Sequence, residues 1–149
     1  MKIDTDFAYS YHSKLFTSYT AEGLEEEINK FLKETYDKNY QRMIITKRII
    51  KIVSTNNLRM GTISMFISYV ITKPDDFNML EQVKLFSYFH RDGQEQKIMK
   101  KVNALAGTNP KNEHIAIRDT LFDSCYTDMS IKSIIAVFYT DTSVLNRNL

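Results

Sequence analysis

Tryptophan is absent from the 149 residues, and cysteine (1), proline (2) and glycine (4) are nearly so. Each shortage excludes something. With so few breakers, the chain should be mostly regular structure joined by short connections. The single Cys125 rules out an internal disulfide and cannot alone build a thiolate metal cluster, so a reducing cytoplasm is the expected compartment. No uninterrupted apolar run approaches the roughly 18–20 residues of a membrane-crossing helix, and no membrane partner is expected. The opening MKIDTDFAYSYHSK is polar and acidic, without the apolar stretch of a secretory signal. Neither charge dominates: 20 basic residues against 18 acidic leave +2, too balanced to argue for a nucleic-acid partner.

What is present describes an ordinary globular chain of one-domain size, 43% hydrophobic and 26% charged. Lys, Asn, Ile, Tyr and Phe are heavily used, which suits the AT-rich genome of a low-GC Gram-positive bacterium or of its phages.

The informative feature is a phrase written twice. Residues 14–27 read KLFTSYTAEGLEEE and residues 84–97 read KLFSYFHRDGQEQK. One offset of seventy holds without gaps well beyond that phrase: Asp6-Phe7 over Asp76-Phe77, Gly23 over Gly93, Glu25 over Glu95, Ile28 over Ile98, Arg48 over Arg118, Tyr69 over Tyr139. This reads as an internal duplication, residues 1–73 and 74–149.

Within the first copy, Phe7, Tyr9, Tyr11, Leu15 and Tyr19 alternate as one face of a strand. Leu24, Ile28, Phe31, Leu32 and Tyr36 recur at helical spacing, with Glu22 and Glu25 to Glu27 near the helix start, where carboxylates suit the dipole. MIITKRIIKIV (43–53) and TISMFISYVIT (62–72) read as β-branched strands around a turn, STNNLRMG. The second copy predicts a strand over 79–89, a helix over about 93–106, and strands over 113–122 and 131–140. Each copy is therefore a β-α-β-β unit, simplest with its last strand in the middle of an antiparallel sheet. The expected class is α+β: two tandem repeats packed as one body, forming one pseudo-twofold antiparallel sheet with both helices on one face.

The opposite face of such a sheet is where function is expected. Placing odd positions of the first and third strands under the helices leaves Lys14, Phe16, Arg48 and Phe66 on the open face. Lys84, Phe86, Arg118 and Phe138 fall there from the second copy, with Arg48 assigned by analogy to Arg118. Aromatic rings stack on flat bases and Arg forks phosphate oxygens, so these eight form a candidate binding surface for a small anionic ligand. An apolar open face also suits an oligomer interface.

Signals for catalysis are weak. His90-Arg91-Asp92 lacks the rest of a kinase catalytic set and reads as a turn before the helix. Cys125, in the expected hairpin loop SCYTDMS, could pair with His114 as a nucleophile, but nothing else supports it. No P-loop, dinucleotide glycine pattern or HExxH is written. No enzyme, metal or cofactor is expected.

Lys14-Leu15-Phe16, Leu24-Glu25-Glu26-Glu27-Ile28-Asn29, Phe31-Leu32 and Ser68-Tyr69-Val70-Ile71 together resemble a small sporulation-protein family of low-GC Gram-positive bacteria. The match runs over residues 14–71 and fails in the second copy, where Met99 replaces Asn29 and Lys101 replaces Phe31. The resemblance implies a small β-α-β-β module that associates with copies of itself. The expected function is a non-catalytic, homo-oligomeric binding protein that sequesters a nucleotide-like anion, as a phage or mobile element countering a host defence signal would use. Two alternatives stay open: an interaction or assembly module of a spore or phage structure, and single-stranded nucleic-acid binding.

Overall fold

The computed structural model describes residues 11–37, 42–54, 61–72, 80–91, 93–105, 115–126 and 131–141. The elements are β1 (Tyr11–Ser18), α1 (Ala21–Asp37), β2 (Arg42–Ser54), β3 (Gly61–Thr72), β4 (Glu81–Phe89), α2 (Gln94–Leu105), β5 (Ile115–Tyr126) and β6 (Ile131–Asp141). The chain is mixed α+β, and the order β-α-β-β occurs twice.

Thr20 starts α1 by accepting the Gly23 N–H on its hydroxyl at 3.0 Å, while its carbonyl accepts the Leu24 N–H. Such a cap satisfies donors that the first helical turn otherwise leaves open. Leu24, Ile28 and Leu32 then form one buried stripe. Before α2 the chain bends at His90-Arg91, where the His90 N–H bonds the Ile131 carbonyl. Gly93 takes a left-handed φ of 78° that a side chain would disfavour. Asp92 lies outside the described residues.

The strands form two antiparallel sheets of three, ordered β1-β3-β2 and β4-β6-β5. Each last strand is central, as expected. The single sheet with both helices on one face is not what forms. The two sheets are separate in their strand pairing, and edge strand β2 of one lies beside edge strand β5 of the other.

A main core joins Leu24, Ile28, Met65 and Ile67 from the first half to Val83, Leu85, Ile134 and Phe138 from the second. Sheet β1-β3-β2 thus shares its inner side between α1 and one face of sheet β4-β6-β5. A smaller core of Phe86, Tyr88, Ile98, Ile135 and Val137 lies on that second sheet's other face, under α2. Among the described residues, sheet β4-β6-β5 is covered on both faces and sheet β1-β3-β2 on one.

Pairing corrects the expected face of β1. Phe16 pairs Met65, and directly opposed residues share a face. Even positions of β1 therefore join odd positions of β3 inside. Phe16 is 4% exposed, and Leu15, expected inward, is 62% exposed.

A second correction concerns the arginines. The register of β5 on β6 shifts between Ile117 and Asp119, at Arg118, whereas that of β2 on β3 shifts between Ile45 and Lys47. Arg48 pairs Ile67; on the other sheet Thr120 pairs Val137, seventy residues beyond Ile67. Arg48 and Arg118 are not in equivalent places, because a bulge resets side-chain parity at different points in the two strands.

Candidate interaction site

The outer edge of β4 explains what α1 is built to do. Asn29 lies along it: Nδ2 donates to the Val83 carbonyl at 2.9 Å and Oδ1 accepts the Val83 N–H at 2.8 Å. One turn earlier, Glu25 Oε1 accepts the Leu85 N–H at 2.8 Å, and its other oxygen sits 3.4 Å from Lys84 Nζ. Residues four apart share a helix face, so the pair reads two alternate residues of a strand edge. At the far side Asp123 of β5 accepts the Ile52 N–H of β2 at 2.8 Å. Side chains thus occupy backbone groups that an edge strand would offer to another chain.

β1 is also an edge strand, pairing only with β3 among the described strands. Its register repeats that of β4: Lys14 pairs Ile67 as Lys84 pairs Val137. Backbone groups of Ser13, Leu15 and Thr17 therefore point away from the sheet, as those of Val83 and Leu85 do.

Along this edge runs a groove of about 410 Å³ between β1 and α1, lined by Lys14, Leu15, Thr17, Lys30, Phe31 and Glu34 among others. Lys14 Nζ lies 4.8 Å from the Phe31 ring centroid and 5.3 Å from that of Phe16, within cation–π range. The outer sheet face beside it is polar, with hydroxyl pairs Ser13–Ser68 at 3.1 Å and Thr17–Ser64 at 3.0 Å. Leu15 and half-buried Phe66 interrupt it.

The eight expected site residues do not converge. Lys14 and Phe16 meet at this groove, although Phe16 is turned inward. Phe66 is on the opposite, outer face, opposed to Leu15. Phe138 is fully buried in the main core and Phe86 is buried under α2. Lys84 is held by Glu25, and Arg118 is exposed on β5. The side chain of Arg48 lies outside the described residues. Periodicity placed the aromatics on one surface, but both faces of sheet β4-β6-β5 are covered, so its apolar residues are core.

Sequence reasoning missed Glu25, Asn29 and Leu15. Nothing local in the sequence sets Glu25 and Asn29 apart from other polar positions of the helix, because their partners lie on β4, more than fifty residues on.

Cys125 lies in β5, not in a hairpin loop, and packs against the main core. Burial pushes its thiol pKa up, Asp123 pushes it further, and Lys132 only partly opposes them. That disfavours the reactive thiolate. His114 lies outside the described residues. No group of three or more His, Cys, Asp or Glu side chains among the described residues is placed to hold a metal ion, and no described helix is long and apolar enough to cross a membrane.

Comparison with protein-family models, with curated proteins and with solved structures returns no match.

Proposed function

We propose that this chain is a non-catalytic interaction protein, a tandem pair of one β-α-β-β module, whose working surface is the β1 edge with its adjoining groove. One observation carries the reading. The equivalent edge on β4 is occupied by side chains of α1, while on β1 Leu15 is 62% exposed beside the groove. Strand edges recognise protein through main-chain hydrogen bonds supplemented by side-chain pockets, and this edge supplies both. The buried positions of Phe16, Phe86 and Phe138 take three of the eight anchors away from the flat anion-binding surface expected from the sequence.

A second reading keeps the groove and changes the occupant. Lys14 over Phe31, with Lys30 beside Glu27 and Glu34 on the other wall, gives a small site of balanced charge that a flat ligand could enter with its anionic group at Lys14. Its volume falls within the range of small-molecule pockets.

Native mass spectrometry of gently purified protein decides between them, run on wild type and on Leu15→Asp. Additional polypeptide on wild type that is lost in Leu15→Asp supports the interaction reading. A small-molecule adduct lost in Lys14→Ala supports the anion. A bare wild-type monomer overturns both.

A further inference from the structure

We infer that the occupant of the β1 edge is helix α2 of a second copy of this chain, docked as α1 docks on β4. The inference rests on the reading of β1 as an interaction surface and names its partner.

The two sheets give the correspondence without any sequence alignment. β1 pairs β3 in the same register as β4 pairs β6, so Lys14 and Leu15 occupy the places of Lys84 and Leu85. On the inner strands Ile50 pairs Met65 and Phe122 pairs Ile135, seventy residues beyond Met65. Phe122 therefore occupies the place of Ile50.

Both partners of the contact inside the chain have exposed equivalents, one on each sheet. Leu85 is 6% exposed under that contact, and its equivalent Leu15 is 62% exposed; Ile50 is 8% exposed, and its equivalent Phe122 is 58% exposed. Glu25 binds the Leu85 N–H and Lys84. Its equivalent Glu95 is an exposed carboxylate in the first turn of α2, and Lys14 with the Leu15 N–H is the corresponding target. Repeating the internal contact between chains brings Glu95 to Lys14 and the outer face around Leu15 to Phe122.

Charge favours the same pairing. α1, which walls the β1 groove, carries six carboxylates against two lysines, and α2 carries three lysines against one carboxylate. Docking α2 beside α1 sets opposite charges together.

The contact is weaker than the internal one. Met99, 42% exposed, replaces Asn29, and Ser13 and Ser68 stand where Val83 and Phe138 are buried. A polar interface of this kind suits reversible association. Because two different surfaces of the chain meet, the contact is head-to-tail and builds a ring or an open filament.

Sedimentation velocity of the purified chain over a wide concentration range tests this. Mass rises with concentration, and added salt lowers it. Lys14→Glu and Glu95→Lys are exposed changes that leave the fold intact by circular dichroism. Each weakens association by about tenfold or more, and an equimolar mixture of the two variants recovers it, since each supplies the end that the other lacks. A chain monomeric at every concentration overturns the inference. So does an oligomer indifferent to both charge reversals. If Leu15→Asp strips a different polypeptide from host-purified protein while the pure chain stays monomeric, the β1 surface stands and only the identity of its partner is lost.

Discussion

A buried hydroxyl without a partner costs roughly 1–3 kcal/mol, and Thr140 carries one: the residue is 4% exposed and its Oγ1 has no hydrogen bond. Valine matches its shape without the hydroxyl. Thr140→Val should raise unfolding free energy by about 1 kcal/mol, read as a higher urea midpoint at unchanged slope. A lower midpoint would mean that the hydroxyl is satisfied after all. Residue-scale legibility was uneven for a physical reason. β1 has large apolar side chains on both parities, Leu15 on one and Phe16 on the other, so alternation alone cannot say which side is inside. Pairing with β3, whose Ile63, Met65 and Ile67 are fully buried, settles it for Phe16.

At the scale of elements, the eight segments and their types were legible, because helical and alternating spacings differ over ten or more residues. The central place of the last strand in each unit was legible too. The work of α1 was not. Its buried stripe is visible in any helical wheel, but Glu25 and Asn29 look like ordinary solvated positions until β4 is placed against them. Asn29→Ala removes both hydrogen bonds to Val83 and leaves a part-buried N–H and C=O without their partner. The expected loss is about 2–3 kcal/mol, with faster amide exchange at Val83. Unchanged stability and exchange would show that water serves the β4 edge equally well. The bulges at Arg118 and between Ile45 and Lys47 were equally hidden, since a one-residue register shift leaves no mark on composition.

For the whole molecule, the main core matters most. It takes Leu24, Ile28 and Met65 from one half and Val83, Ile134 and Phe138 from the other, so neither half keeps its inner face covered alone. Phe138→Ala should cost about 3–5 kcal/mol and still unfold in one calorimetric transition with agreeing calorimetric and van't Hoff enthalpies. Two resolved peaks would instead mean that the halves fold independently. The sequence by itself determined the α+β class, the β-α-β-β order written twice, and the central strand of each sheet, because these depend on local periodicity and on the shortest connections. Only the tertiary structure decided that the strands make two sheets, that Phe86 and Phe138 are core, and that side chains of α1 cover β4 while, among the described strands, β1 pairs only with β3. Those outcomes depend on which faces and edges meet across the chain, and a residue's own neighbours in sequence carry no information about which distant surface will cover it.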